Sequence, residues 1–395
     1  MFTRYAKMIA LTVLVALIAG CGSSAAPTPV PATAVSPTAT GEHSSIPTLT
    51  SPTATVLPPN PSATTAPADE SLAGSLSEEE AEAATLGSLE QVDDYPLYTM
   101  HYYGAYDHRL SSIQSARWPV SADLPNSNLA VSPPTWACSL FAALGDADNM
   151  FYGRNFDWEH SPAVLLFTDP PDGYASVSMV DIAYLGFEGP EASTLTDLPL
   201  IERRALLDAP RLPFDGMNEH GLVVGMAAVP PGEMLPDPNK ENKGSLGIIR
   251  EMLDHASNVD EAVAILQSYN VTFGNVPLHY LIADSSGRSV LVEFYQGEMI
   301  VIPNEAPWHL ATNFLRASAG ESAESRCWRY DMINQRLTET QGQLGAQNAL
   351  ELLEDVSQPN TQWSIVYGMD SGDISVVMEQ KYDNLHTFHL RLTGE

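Results

Sequence analysis

Hydrophobic positions in the second two-thirds of the chain follow two alternating periods. Cys138-Ser139-Leu140-Phe141-Ala142-Ala143-Leu144 is an almost unbroken apolar run. It is too short for a helix and is followed by the turn-forming stretch Gly145 to Asn149, so it predicts a buried strand. Met150 to Trp158 predicts the return strand. The hairpin's open end then carries Cys138 on one side and Arg154 and Asp157 on the other. Pro210 to Val229 reads as strand, tight turn at Asn218-Glu219-His220-Gly221, and strand, with Gly221 supplying the unusual backbone angles. Leu246, Ile249 and Leu253 recur at helical spacing up to His255, and Asn258 with Glu261 resembles a capping box opening a second helix through Leu266. His279 to Asp284 and Ser289 to Tyr295 predict strands around Ser285 to Arg288, with Met299 to Ile302 as a third. Ser325 to Leu337 and Ala346 to Val356 read as helices, and Trp363 to Tyr367, Ile374 to Glu379 and Thr387 to Leu392 as closing strands. Helix pairs lying between strand hairpins predict an α+β class, antiparallel sheets covered by helices.

The first part of the chain has a different pattern. Arg4 and Lys7 precede a short apolar run, Met8 to Ile18, which ends in Leu17-Ile18-Ala19-Gly20-Cys21. That is the shape of an export signal and is too short for a spanning helix. Its last five residues resemble the lipobox of bacterial lipoproteins, which implies acylation of Cys21, a signal over residues 1–20, and anchoring to the bacterial cell membrane on its extracytoplasmic side. From Gly22 to Ala68 the chain is mostly Pro, Thr, Ser and Ala with no aromatic residue. Such a segment buries too little apolar surface to offset its ordering entropy and is expected to be an extended stalk. Ser77 to Leu89, acidic and Ala-rich, predicts a short exposed helix closing that region at about residue 90. Residues 91–137 then form an N-terminal segment and residues 138–395 the main domain, with the folded part starting near Tyr95.

Charge narrows the partners. The net charge is -31, with no lysine between Lys7 and Lys240. Phosphate backbones repel such a chain, which excludes nucleic acid, and anionic headgroups do too, which leaves lipid on Cys21 as the membrane attachment. The histidines of the folded part are scattered, and no pair has both ligand spacing and a carboxylate partner on a helix, so no metal is expected. No Gly-rich phosphate loop suggests a nucleotide cofactor. With Cys21 assigned to lipid, Cys138 and Cys327 remain, and in an oxidising compartment they are either a disulfide or thiols with a chemical use. A thiol beside a guanidinium and a carboxylate is the setting that lowers a cysteine's pKa and makes it a nucleophile.

Taken together, these residues resemble the linear-amide hydrolases that include choloylglycine hydrolase, penicillin V acylase, the acyl-CoA:6-aminopenicillanic acid acyltransferases and acid ceramidase. The elements are the Cys138 strand with Gly153-Arg154-Asn155-Phe156-Asp157-Trp158, then Asp215-Gly216-Met217-Asn218-Glu219-His220-Gly221-Leu222. Ala311-Thr312-Asn313-Phe314, Ser325-Arg326 opening a helix, and Thr361 to Tyr367 follow. The resemblance implies an N-terminal-nucleophile fold, a four-layer αββα sandwich. It implies Cys138 as nucleophile, Arg154 and Asp157 as the pair that stabilises the thiolate and orients the amine, Asn313 near the tetrahedral oxyanion, and Arg326 as a second site arginine. Asn218 is expected to serve its turn. In the bile-salt branch the strand after the Gly-Leu step supplies an oxyanion Asn. Here that strand reads Val223-Val224-Gly225-Met226-Ala227-Ala228-Val229, so the second donor must be a backbone N–H or another side chain.

In that fold the base is the nucleophile's own α-amine, whose unperturbed pKa is near ~7.7 and which a peptide bond ties up. The expectation is therefore self-cleavage at Ala137–Cys138, and hydrolysis of a linear, non-peptide amide in a small acylated amine. The alternatives are an acyltransferase with the same nucleophile, since acceptor choice depends on water exclusion, and a lipoprotein that only binds a ligand. Tyr95 to Tyr106 holds five of the fifteen tyrosines, too many apolar rings for a solvated propeptide. This segment is expected to pack on the core as a strand or to line the substrate entrance, and so to stay bound after the cut.

Overall fold

A computed structural model describes residues 76–106, 137–230, 234–274, 276–319 and 326–394. The expected signal, Cys21, the stalk to residue 75, and residues 107–136 lie outside the described residues. Two sheets carry the fold. The larger has nine strands in the order β1 (Glu90–Asp93), β2 (Leu97–Tyr102), β5 (Ala163–Thr168), β6 (Ser176–Asp181), β7 (Asp215–Asn218), β8 (Val223–Ala228), β11 (Leu278–Ala283), β12 (Ser289–Tyr295) and β13 (Glu298–Pro303). The smaller has six: β14 (Trp308–Ala311), β3 (Ala137–Ala143), β4 (Phe151–Asp157), β15 (Thr361–Gly368), β16 (Asp373–Met378) and β17 (His386–His389). All neighbours in both sheets are antiparallel except β2 and β5. Strands β9 (Glu241–Gly244) and β10 (Tyr269–Thr272) form a small parallel pair.

The sheets stack face to face, and strand periodicity sorts their residues into layers. Leu140, Tyr152, Phe156, Trp363 and Ile365 of the small sheet enter one core with Leu165, Val177, Met179, Ala227 and Leu281 of the large one. Gly225 explains part of this closeness. A Cβ there would lie 2.5 Å from the Tyr152 hydroxyl, which itself donates to the Leu281 carbonyl at 2.9 Å. On the far side of the large sheet lie helices α2 (Gly247–His255) and α3 (Val259–Ser268). Asn258 caps α3 by accepting from the Glu261 amide at 3.0 Å. On the far side of the small sheet, α4 (Trp328–Glu339) and α5 (Ala346–Asp355) cover a second core with Phe141, Val366, Ile333 and Leu353. The result is the expected four-layer αββα sandwich.

Three boundaries differ from the sequence expectation. Helix α1 (Glu78–Gly87) has the full capping box of Ser77 and Glu80, but it is not simply exposed. Leu86 is buried with Tyr98, Met100 and Tyr102 of β2, and buried Thr85 accepts from the Tyr103 amide at 3.0 Å, so packing begins at α1 and not near Tyr95. The hydrophobic pattern does not single out strands β5 and β6, because both of their faces are covered and polar alternation is lost. Ser325 lies outside the described residues, and the helix after it begins at Trp328.

Candidate active site

The β3–β4 hairpin sets the site. Its register pairs Cys138 with Phe156, Leu140 with Arg154, and Ala137 with Asp157. Alternation sends Cys138, Arg154 and Phe156 between the sheets, while Asp157 and Asn155 face the α4–α5 layer. Gly153 in this motif has a packing reason: a Cβ there would sit 2.4 Å from the Phe141 ring.

Arg154 is fully buried, and its partner is Asp215 rather than Asp157. One guanidinium nitrogen donates to the Phe214 carbonyl at 2.6 Å and to the Asp215 carboxylate. The Tyr367 hydroxyl donates to the other Asp215 oxygen at 2.5 Å. Asp215 opens the Asp-Gly-Met-Asn motif, and its role as the counter-charge becomes legible only once β7 is known to face β4. Nε and Nη2 of Arg154 have no hydrogen-bond partner, and the group lies 5.0 Å over the Phe156 ring.

Cys138 is 1% exposed. Its amide donates to Asn313 Oδ1 at 2.6 Å, and Asn313 Nδ2 donates to the Ala228 carbonyl at 2.8 Å. Asn313 therefore ties the start of β3 to the end of β8. Burial pushes the thiol above its ordinary range. The Arg154 charge and a hydrogen bond from the Asp157 backbone oppose that rise, whereas the Asp157 carboxylate adds to it. In the uncut chain the thiol is thus protonated, the opposite of the activated thiolate that the sequence suggested. Desolvation of the fully buried thiol outweighs the Arg154 charge.

Asp157 lies on the other face of the hairpin, fully buried. It accepts from the Thr361 hydroxyl at 2.6 Å and stands 3.8 Å from Arg329. Burial raises its carboxyl to about 7, against the Arg329 charge and the Thr361 hydrogen bond. Arg326, the expected second arginine, is exposed. The guanidinium at the site is that of Arg329, one helical turn on. It donates to the Cys138 carbonyl at 2.5 Å, to Ser139 Oγ at 2.9 Å, and to Asn313 Oδ1 at 3.0 Å. Arg326 precedes the first residue of α4, Trp328, whereas Arg329 lies within the helix on the side that buries Tyr330 and Ile333.

Asn218 serves its turn as expected, accepting from His220 and Leu222 and donating to the carbonyls of Leu253 and Ala256. No disulfide links Cys138 to Cys327. They belong to cores on opposite faces of the small sheet, so β3 stands between them. An aromatic wall flanks the nucleophile: Phe156 stacks on Trp363 at 4.1 Å and meets Phe214 edge-on at 5.3 Å, with Tyr184 beyond at 5.4 Å. The tyrosine-rich segment is also placed. β2 pairs with β5, and Tyr98, Tyr102 and Tyr106 are buried. The Tyr106 hydroxyl donates to Asp254 at 2.8 Å and that of Tyr95 to Gln362 at 2.6 Å.

Residues 213–374 match the family model described as acyl-coenzyme A:6-aminopenicillanic acid acyl-transferase. This bears out the family resemblance read from the sequence. An uncharacterized protein of Paramecium bursaria Chlorella virus 1 is 32% identical over 110 residues, which is 25% of this chain and 39% of that protein. The chain thus matches about two-fifths of the length of that relative. Among solved structures, a mutant conjugated bile acid hydrolase from Clostridium perfringens is similar, with TM-score 0.48 and 15% identity over 64% of this chain and 92% of that one. Penicillin V acylase from Agrobacterium tumefaciens is similar with TM-score 0.44 and 14% identity, over 64% and 86%.

Proposed function

We propose that this chain is an N-terminal-nucleophile enzyme that cuts itself at Ala137–Cys138 and then hydrolyses a linear amide in a small acylated amine. The observation that carries the reading is the treatment of the Cys138 backbone. Its N–H is held by Asn313 and its carbonyl by Arg329, so the nitrogen that cleavage would convert to an amine already has an acceptor.

In the first step the Cys138 thiol adds to the Ala137 carbonyl carbon, and the Ala137–Cys138 C–N bond breaks. The nitrogen takes up the thiol proton and becomes the α-amine, leaving Ala137 as a thioester on Sγ. Water then hydrolyses the thioester, which frees the thiol and leaves a carboxylate on Ala137. In turnover the neutral amine takes the thiol proton, Sγ adds to the substrate carbonyl, and the protonated amine passes its proton to the leaving nitrogen. Water completes the cycle by cleaving the thioester. Arg154, with two guanidinium nitrogens unpaired and its charge fixed by Asp215, is suited to steady the thiolate. The aromatic wall suits an apolar acyl group.

The upstream piece stays attached in this account. β2 lies inside the large sheet, and Tyr95, Tyr98 and Tyr106 bond to residues beyond Cys138. Lipid on Cys21 would then still hold the cut enzyme to the cell membrane. Acyl transfer to an amine in place of water is the second reading, favoured by the family whose model matches residues 213–374. N-terminal sequencing of purified protein tests the cut, and a panel of chromogenic acyl amides with and without an added amine, run against Cys138→Ser, tests the reaction. Detergent extraction followed by size exclusion tests retention: recovery of residues 138–395 alone contradicts it.

A further inference from the structure

The large sheet contains a buried acidic group that the chemistry above does not use. Glu293 on β12 is 0% exposed and lies between the sheets. Its two oxygens accept the backbone N–H of Arg316 at 2.7 Å and of Ala317 at 2.8 Å. Nδ1 of His279, beside it on β11, is 3.3 Å from the same Oε1 that Arg316 reaches. Burial raises the carboxyl, but the His279 contact and the two amides outweigh it, so its pKa is lowered and it is held as the anion. The turn it grips begins three residues after Asn313.

We infer that the Glu293–His279 pair is a positioning device for Asn313, and through it for the Cys138 nitrogen. The inference rests on the site reading above. Asn313 meets the large sheet through its side chain at the Ala228 carbonyl. Its following turn meets the same sheet at Glu293. His279 pairs with Ala227 in register, so it stands on the strand between those two anchor points. Two anchors on one rigid sheet fix both the place and the direction of the Asn313 side chain, which a single hydrogen bond does not. A charged acceptor taking two backbone N–H groups makes hydrogen bonds about twice as strong as neutral ones. The Arg316 guanidinium, donating to the Tyr330 hydroxyl, ties the same turn to the helix that carries Arg329. Shifting a catalytic group by about 1 Å costs on the order of 10²-fold in rate, so the sheet must define this loop closely.

The test uses the full chain with Cys138→Ala, which cannot cut, and reads hydrogen exchange of the amide at position 138. That amide is the one Asn313 accepts. Glu293→Ala is expected to speed its exchange about tenfold or more through local opening, with the β3 amides at 140 and 142 unchanged. His279→Asn, which keeps a nitrogen where Nδ1 stood, is expected to match the parent, while His279→Ala follows Glu293→Ala. In the cutting background the same variants are expected to slow self-cleavage in the same order, timed in cell-free translation. Unchanged exchange at position 138 in Glu293→Ala overturns the inference, as does His279→Asn behaving like His279→Ala. Faster exchange in the Glu293→Ala form, together with a parent chain that keeps Cys138 and still never cuts itself, upholds the positioning and refutes the functional reading, so the two failures are separable. Should Glu293→Ala not fold, the His279 pair of variants decides alone.

Discussion

Asp215 and Arg154 meet in the dry space between the sheets, and replacing Asp215 by Asn isolates what that meeting contributes. Both side chains are 0% exposed. The Arg154 guanidinium has two further nitrogens with no partner. Asp215→Asn keeps the shape and still accepts from Tyr367, but it turns an N–H toward the guanidinium and leaves a buried cation without its counter-charge. Breaking a buried pair by removing one partner costs about 3–5 kcal/mol. Tyr367→Phe, which removes only the hydroxyl's bond to the carboxylate, should cost about 1.5–3 kcal/mol, the range for hydrogen bonds to charged groups. The assay is urea unfolding in the uncut Cys138→Ala chain, so that cleavage does not alter the reference. A drop in midpoint with unchanged slope reads as lost stability and not as a change in the exposed surface. A cost below about 1 kcal/mol for Asp215→Asn would mean that Arg154 finds another partner, and the reasoning about a fixed guanidinium beside the thiol would fall.

Two further outcomes follow from the same geometry. Asp157 holds its proton up to about 7 in the folded chain, against an ordinary value of 3.8. The folded state therefore binds a proton that the unfolded state has released. Its contribution to stability is complete below pH 3.8 and is lost as pH rises to about 7, at about 1.4 kcal/mol per pH unit. The difference in unfolding free energy between the parent and Asp157→Asn, measured at pH 5 and pH 7, should move in that direction. A pH-independent difference contradicts the assignment. Gly153→Ala places a methyl 2.4 Å from the Phe141 ring and should cost about 1–3 kcal/mol by overpacking; restored stability in Gly153→Ala with Phe141→Leu, read by thermal melting, checks the cause.

Much of this is legible in the chain itself. The apolar run at Cys138, the turn at Gly145 and the return strand at Arg154 define the hairpin, because a strand's period and a turn's composition are local signals. Asn258 with Glu261 announces α3 in the same way. What stays hidden is which partner each charge chooses. Arg154 and Asp157 are three residues apart in sequence, yet they face opposite sides of β4, and only the stacking of β7 over β4 assigns Arg154 to Asp215. Arg326 stands at the place the family motif gives its arginine, but it lies just before α4 and is exposed, and Arg329 inside the helix is the one that reaches Cys138. The protonation of Cys138 is hidden for a similar reason: neighbouring charges can be guessed from spacing, but the depth of burial that outweighs them cannot.

The central claim concerns one peptide bond, and one measurement addresses it most directly. Intact mass and N-terminal sequencing of the purified full chain, set beside Cys138→Ala, should give a new N-terminus at Cys138 in the parent and none in the variant, with activity present only in the cut form. An active parent protein with Ala137–Cys138 intact would contradict the account.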